Sequence, residues 1–489
     1  MSKLNKARPS AHPEIVRTQG RTTVEQAEHD LRRSVACCLL WEDTFYESGE
    51  AIADRIKRLV AIARPEFTAA LAFEARTKHY LRHAPLLLVR ELARHPTGKA
   101  LVGRLLPDVA TRADMLAEFV KLYWATQDKK DKKTLSAQVK KGLAAAFKRF
   151  DAFALAKNDH QDAEVKLRDV AFLAHPQTAR ERTELSNAVL KERAYANGRG
   201  SVVRFPGSTL DRLVEGTLET PDTWEVALSA AKGDAEKRAV WARLLAERKL
   251  GALAWLRNLR NLEQAGLRLD AEAYALELDP KGILPFQFFT AARIAPWAKN
   301  VLEPLMFKAL EAQPRLPGLS VLLMDVSGSM SGRLSAKGEA TRLDAAAGLM
   351  VMAREVCERV ELYTFSDRLA KLDPRSKLRG FALGEACINS QPHSGTDLAG
   401  ALRQLVGLRY EHDGGAPERI MVITDEQSQT GIKGTGPFKR GYVMNVASYE
   451  RGVATGDWVT ITGWSPAVLN YVAHAEGVGA VAEIEAEGV

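Results

Sequence analysis

The apolar pattern of this chain changes at residues 314–317, and this change constrains the fold more than any other feature. From about residue 23 to residue 313, apolar residues recur at helical spacing between proline, glycine and polar cap residues, and the alternation typical of half-buried strands is nearly absent. Behind the short linker, apolar strand-like runs alternate with helical segments. The sequence therefore predicts a helical part followed by an α/β part.

The helical part contains successive helices joined by short turns. Pairs of such helices bury their apolar faces against neighbouring pairs, which predicts an α-solenoid of the HEAT or armadillo kind. No fixed repeat period is visible, so we expect the repeats to be irregular. Long helices are predicted over residues 108–127, 134–157 and 250–265.

The α/β part predicts a doubly wound, mostly parallel sheet. Ligands of such sheets bind at the carboxyl ends of the strands. Strands are predicted over residues 319–325, 361–366, 419–424, 441–446 and 458–461, and helices over 343–359 and 398–408.

Length and composition exclude several classes of protein. The chain has 489 residues, of which 46% are hydrophobic and 27% charged, as in an ordinary soluble protein of two to four domains. No apolar run approaches the roughly 20 residues that span a membrane. Four cysteines, two of them adjacent, have neither the density of a disulfide framework nor the spacing of a zinc site, so we expect a cytoplasmic location. The basic residues 1–19 are predicted to form a flexible arm.

The net positive charge of the chain comes entirely from the helical part. Residues 1–315 contain 52 Lys and Arg against 40 Asp and Glu, whereas the rest contains 17 against 21. A basic excess attracts polyanions, of which nucleic acid is the commonest, although a helical surface rich in Lys and Arg explains it equally well.

A set of oxygen ligands follows the predicted strands of the α/β part. Asp325 ends the first strand, and Ser327 and Ser329 follow on a glycine-containing loop. Two further loops contribute Thr396 and Asp425. Hard divalent cations, Mg²⁺ in particular, prefer such oxygen ligands. The alternative is that these residues only cap helices.

The three motifs DVSGSM, SGTD and VITDEQ, in this order, resemble the metal-ion-dependent adhesion site of von Willebrand factor A domains. The resemblance covers residues 316–489 and implies that all five residues ligate the metal. A hydroxyl-rich site with few carboxylates favours capture of an acidic group from a partner over catalysis. Neither a Walker motif nor a Ser-His-Asp set is recognisable.

The helical part resembles the TROVE-domain Ro autoantigen family. The resemblance rests on segments LRRSVACCLLWEDTFYESG, LRDVAFLAHPQ, TPDTWEVALS, WARLLAERKLGALAWLRNLRN and ILPFQFFTAARIAP, followed by the A domain. It implies a TROVE domain over residues 20–313 whose irregular HEAT-like repeats form a ring that the A domain closes. Family members bind small noncoding Y RNAs on a basic outer face and admit single-stranded 3′ ends of misfolded RNAs into the central hole. In bacterial relatives, a Y-like RNA tethers the ring to the exoribonuclease polynucleotide phosphorylase.

Candidate RNA-binding residues follow from this resemblance and from the charge pattern. His175 matches a family histidine implicated in RNA contact, and Lys166, Arg168 and Lys157 precede it. The family's basic positions just upstream are not reproduced, because residues 158–164 are acidic here. Lysine can neutralise phosphate and an imidazole can stack on an unpaired base, but a histidine before proline is also a common helix-end residue.

The basic run over residues 128–149 adds Lys140 and Lys141 as a phosphate-binding rim, with a solvated helix face as the alternative. We therefore expect a noncatalytic, monomeric RNA-binding ring. Two other functions stay open at this point: a metal-dependent protein-interaction scaffold without RNA binding, and a metal-dependent ribonuclease.

Overall fold

A computed structural model describes residues 23–36, 49–125, 134–160, 162–176, 207–311, 313–334, 339–372, 377–408, 410, 416–425, 432–447, 454–463 and 466–478. The predicted basic arm at residues 1–19, the adjacent cysteines Cys37 and Cys38, and the lysines of residues 129–133 lie outside these ranges.

All regular elements described from Val24 to Leu310 are helices, and no strand occurs among the described residues of this part. Those of the first segment are α1 Val24–Ala36, α2 Gly49–Val60, α3 Pro65–Thr77, α4 His83–Arg94, α5 Val102–Val109, α6 Asp114–Trp124, α7 Ala137–Phe147, α8 Ala152–Asn158 and α9 Leu167–Ala174. The second segment contains α10 Thr209–Glu215, α11 Trp224–Ala230, α12 Gly233–Ala246, α13 Ala252–Arg257, α14 Leu259–Gln264, α15 Arg268–Ala275, α16 Pro285–Ile294 and α17 Lys299–Leu310.

Three predicted long helices are each divided in two. Residues 108–127 fall on α5 and α6, residues 134–157 on α7 and α8, and residues 250–265 on α13 and α14. At the second break, the Asp151 carboxylate accepts a hydrogen bond from the Ala154 N–H at 2.7 Å and so starts a new helix. At the third, Asn258 has a backbone ψ of 10° and leaves the helical conformation. At the second break a capping side chain therefore interrupts an apolar pattern that continues across it.

The C-terminal part contains the predicted sheet. Its six strands lie in the order β3-β2-β1-β4-β6-β8, and all pairs are parallel except β2 with β3. The strands are β1 Leu316–Asp325, β2 Cys357–Phe365, β3 Leu369–Lys371, β4 Arg419–Thr424, β6 Arg440–Asn445 and β8 Trp458–Thr462, and β5 Ile432–Lys433 pairs separately with β7 Ala454–Thr455. A mostly parallel sheet is thus confirmed.

Four helices accompany this sheet: α18 Arg342–Val356, α19 Gly380–Ile388, α20 Leu398–Gly407 and α21 Pro466–Ala475. The helix predicted over residues 343–359 ends earlier, because Cys357 begins β2. Strand β4 is buried along its whole length, as expected for the centre of a sheet covered on both faces.

The hydrophobic cores do not divide at the linker. One core extends from Leu31 to Leu213, whereas a second extends from Trp241 to Ala473 and includes side chains on both sides of residues 314–317. Helix α16 packs on α18, and α17 packs on α19. The last helices of the helical part and the sheet therefore share one apolar interior.

The two ends of the described chain are in contact. Helix α1 packs against α21, and the Tyr471 hydroxyl lies 2.8 Å from His29 Nε2. Nearby, the Asn470 side-chain amide lies 3.3 Å from His79 Nδ1. No helix in the described ranges is long and apolar enough to cross a membrane.

Candidate functional site

Two of the predicted metal ligands meet at the carboxyl edge of the sheet. Strands β1 and β4 are parallel neighbours, and Met324 is aligned with Ile423. Asp325 therefore ends β1 beside Asp425, which directly follows β4, and both carboxylates are fully buried. The topology of a parallel sheet thus unites residues that are far apart in the sequence.

Asp325 is fixed by two hydrogen bonds. Its Oδ1 accepts from the Ser327 N–H at 2.8 Å, and its Oδ2 accepts from the Thr424 hydroxyl at 2.6 Å. Burial raises the pKa of Asp325 to about 6, and the negative charge of Asp425 adds to this effect. The Ser327 and Ser329 hydroxyl oxygens lie 3.2 Å apart. Two hydroxyls and a buried carboxylate thus face one another within a single loop.

The loop that carries Thr396 is held against this first loop. The Gly328 N–H donates to the Ser394 carbonyl at 3.0 Å, and the Asp397 N–H donates to the Ser366 carbonyl at 2.8 Å. Thr396 itself is half-buried between these anchors. The described residues of the three motifs therefore lie at the same edge, as the sequence predicts.

The donor chemistry fits a divalent cation bound mainly by hydroxyl oxygens. A group of three or more His, Cys, Asp or Glu side chains suited to metal binding does not occur among the described residues. With two carboxylates and three hydroxyls, the edge instead matches the oxygen-ligand preference of Mg²⁺, which completes its shell with water. A metal at this position would also offset the cost of burying Asp325 and Asp425.

A guanidinium at this edge was not predicted. Arg342, the first residue of α18, donates from Nη1 to Asp425 Oδ2 at 2.8 Å and to the Ser329 carbonyl at 3.3 Å. Thr341 and Asp344 form a capping box that places Arg342 in the first helical turn, and that box is readable from the sequence. The contact of Arg342 with Asp425, 83 residues later, cannot be read from the sequence.

The structure brings together two of the predicted RNA-binding residues. Helix α7 packs against α9. Partial burial lowers the pKa of His175, and the positive charge of Lys140 adds to this effect. His175 caps α9 in a left-handed conformation with φ of 50° and is exposed, as is Lys140. At neutral pH this arrangement favours an uncharged imidazole next to a lysine ammonium.

Lys157 lies elsewhere, on a cavity of about 680 Å³. Two further cations, Arg212 and Lys249, line the same cavity together with the rings of Phe153 and Trp224. The other lining residues are Ala152, Glu219, Thr220, Pro221, Asp222 and Thr223. Sequence reasoning missed this cluster because its members come from four separate stretches of the chain.

The remaining candidates are dispersed. Lys166 begins α9 and lines a second cavity beside the carboxylates of Asp114 and Glu118. Arg168 is exposed on α9, and the Lys141 stem lies next to Gly103 of α5. Lys157 and Lys166 therefore line separate cavities, whereas Lys140 of α7 and His175 at the end of α9 lie on two helices in contact.

Two family models match the chain. Residues 213–292 match the TROVE domain, and residues 320–427 match the von Willebrand factor type A domain. The second match includes all five predicted metal ligands. No curated protein sequence matches the chain.

One solved structure shares the fold over most of the chain. The crystal structure of the Deinococcus radiodurans Ro (RSR) protein is 19% identical, with a TM-score of 0.58 over 92% of this chain and 99% of that one. The conserved hypothetical protein BatB from Bacteroides thetaiotaomicron is also 19% identical, but its TM-score is only 0.21 over 26% of this chain and 66% of its own. The resemblance predicted from the sequence is thereby confirmed: one segment of the chain matches the TROVE domain, a later one matches the von Willebrand factor type A domain, and the fold is similar to that of a Ro protein.

Proposed function

We propose that this protein is a noncatalytic RNA-binding protein that binds a small noncoding Y-like RNA and the single-stranded 3′ ends of structured or misfolded RNAs. It thereby supports RNA quality control or decay. The observation that carries the proposal is the packing of α7 against α9, which places the exposed Lys140 on one helix and the exposed His175 at the end of the other, within the basic part of the chain. An ammonium group neutralises phosphate, while a neutral imidazole stacks on an unpaired base.

The cavity at Lys157 supports the same function at a second position. Single-stranded nucleic acid is bound by cationic grooves that also offer aromatic surfaces for stacking. Lys157 and Arg212 supply positive charge here, and Phe153 is 49% exposed. Asp222 is neutralised by ion pairs with Arg243 and Lys249, so it does not leave a net negative charge at the cavity.

We further propose that the helices form a ring of irregular HEAT-like repeats, closed within one chain and therefore monomeric. The contact of α1 with α21 supports this closure. The domain boundaries of the proposal are residues 20–313 for the TROVE domain and 316–489 for the A domain. Polynucleotide phosphorylase, tethered by the Y-like RNA, is the proposed protein partner, and the buried free thiols of Cys357 and Cys387 suit a cytoplasmic location.

The A domain is proposed to hold one divalent cation, Mg²⁺, through Asp325, Ser327, Ser329, Thr396 and Asp425. The ion would supply an open coordination position for an acidic group of a partner. The residues of the chain orient the site: Thr424 and the Ser327 N–H fix Asp325, and Gly328 fixes the loop that carries Thr396. A metal-dependent protein-interaction scaffold without RNA binding is the second candidate function, and this edge is the observation that favours it.

Fluorescence anisotropy with two RNAs separates these functions. One is a hairpin with a single-stranded 3′ tail, and the other is the same hairpin cut blunt, each measured at about 50 and 200 mM salt. We expect tighter binding of the tailed hairpin and a loss of about 10³-fold or more at the higher salt. Equal binding of both RNAs would contradict end capture, and no binding at either salt concentration would leave the interaction scaffold.

A further inference from the structure

The metal site of the A domain already contains a cation of the chain itself. Arg342 contacts two of the five proposed ligand residues, through Asp425 Oδ2 at 2.8 Å and the Ser329 carbonyl at 3.3 Å. Its side chain is 19% exposed, whereas Asp425 is fully buried. A buried carboxylate requires a positive partner, and here that partner is a guanidinium.

The backbone holds Arg342 in this place. Its N–H donates to the Gly332 carbonyl at 2.9 Å, and the Thr341–Asp344 capping box fixes the first turn of α18. Gly332 also leaves room for the guanidinium, since a Cβ at this position would lie 3.3 Å from Arg342 Cζ. The position of the guanidinium is therefore built into the fold around it.

A guanidinium and a divalent cation are competing partners for Asp425. Like charges a few ångströms apart repel strongly where water is excluded, so both cannot occupy the same carboxylate oxygen. Metal binding would then require Arg342 to leave Asp425 Oδ2, and the free energy of the existing ion pair would be subtracted from that of metal binding.

We propose that Arg342 is the resident counter-cation of this site, which neutralises Asp425 until a divalent cation displaces it and thereby sets the metal affinity. This inference rests on the proposed metal site. It goes beyond it by assigning to Arg342 a role opposite to that of a ligand: removal of Arg342 strengthens metal binding.

Isothermal titration of the full chain with Mn²⁺ and with Mg²⁺ tests this role. We expect Arg342→Gln to bind either ion at least tenfold more tightly than the unmodified chain. The matched control is Arg379→Gln, which removes an exposed ion pair with Glu355 in the same domain and leaves the affinity unchanged. Unchanged or weaker binding by Arg342→Gln overturns the inference. Absence of binding in both proteins overturns the metal site as well.

A second measurement uses the unmodified chain, because Arg342→Gln breaks the ion pair with the buried Asp425 and can itself destabilise the protein. The Nε–H resonances of ¹⁵N-arginine-labelled protein are followed during titration with Mg²⁺, and that of Arg342 is assigned by its loss in Arg342→Lys. Displacement predicts a shift of this resonance that saturates with Mg²⁺ while that of Arg379 stays in place. An Arg342 resonance that does not move at saturating Mg²⁺ overturns the inference.

Discussion

Gly348 of α18 lies against the backbone of Phe286 in α16, so closely that a Cβ at Gly348 would come within 2.9 Å of the Phe286 nitrogen. This approach joins the helical part to the A domain. Alanine has a higher intrinsic helix propensity than glycine by about 1 kcal/mol. Gly348→Ala therefore destabilises the protein only if the steric clash with Phe286 costs more than this gain.

We expect Gly348→Ala to lower the free energy of unfolding by about 1–3 kcal/mol, because the helices must separate to admit the methyl group. The control is Gly407→Ala in α20, where no atom lies within 4 Å of the added Cβ. Urea denaturation followed by circular dichroism measures both. An increase in stability for Gly348→Ala would show that α16 and α18 are not packed this closely.

Because Arg419 and Glu476 form a buried ion pair, we expect truncation of Arg419 to cause a large loss in the free energy of unfolding. Arg419 Nε donates to Glu476 Oε1 at 2.8 Å, Arg419 Nη1 donates to the Ser320 hydroxyl at 2.7 Å, and both charged side chains are almost fully buried. Arg419→Ala should cost about 3–5 kcal/mol, because it removes the closest cation of the buried Glu476 and leaves only the Tyr442 hydroxyl and the more distant Arg440. Lys439→Ala, which removes an exposed pair, should cost less than about 1 kcal/mol. Similar losses for both variants would contradict this assignment.

The lowered pKa of Glu74 predicts that the protein loses stability in acid. Burial alone would raise its pKa, but hydrogen bonds from His79 and Arg32, together with their charges, lower it to about 2 from the usual 4.5. A lowered carboxyl pKa stabilises the fold above pH 4.5, and the contribution is lost as the pH falls toward 2. We expect Glu74→Gln to cost about 2 kcal/mol at pH 7, after allowance for partial exposure, and less than half of that at pH 3. An equal cost at both pH values in urea denaturation would refute the ion pairing.

The RNA-binding proposal predicts different effects for lysine and histidine. Lys140→Gln and Lys157→Gln should each reduce the slope of log affinity against log salt by about 1, because each removes one phosphate contact. His175→Ala should weaken binding of a tailed hairpin by about 1–3 kcal/mol, the typical loss for one stacked base, with little change in slope. Lys439→Gln in the A domain is the control. If the salt-dependence slopes of Lys140→Gln and Lys157→Gln equal that of Lys439→Gln, neither Lys140 nor Lys157 contacts the RNA.

Removal of the metal should leave the RNA intact and bound. We expect Asp325→Ala to abolish Mn²⁺ binding in calorimetry, because it deletes the buried carboxylate of the first loop. RNA affinity in the presence of chelator should stay within about threefold of that with Mg²⁺, because the proposed RNA contacts are on the helical part. RNA cleavage that chelator and Asp325→Ala both abolish would instead identify a metal-dependent ribonuclease.

Several features of the fold follow from the local sequence. Apolar spacing distinguished the helices from the strands, because a side chain in either element repeats its direction with a fixed period. Helix ends were less predictable: the apolar pattern of residues 134–157 continues past Asp151, although the Asp151 side chain starts a new helix. Each of the three motifs follows a predicted strand. Since parallel strands bring their carboxyl ends to one edge, the sequence predicted that the motif residues lie close together.

The sequence alone determined the two-part architecture, the origin of the net positive charge in the helical part and the candidate metal ligands, because these depend on periodicity, composition and loops attached to strand ends. Only the tertiary structure decided that Arg342 reaches Asp425, that Lys140 lies near His175, and that Gly348 touches Phe286. These contacts depend on the angles and distances at which helices pack. The shapes of side chains throughout the interior determine those angles and distances, so they cannot be predicted from a local sequence pattern.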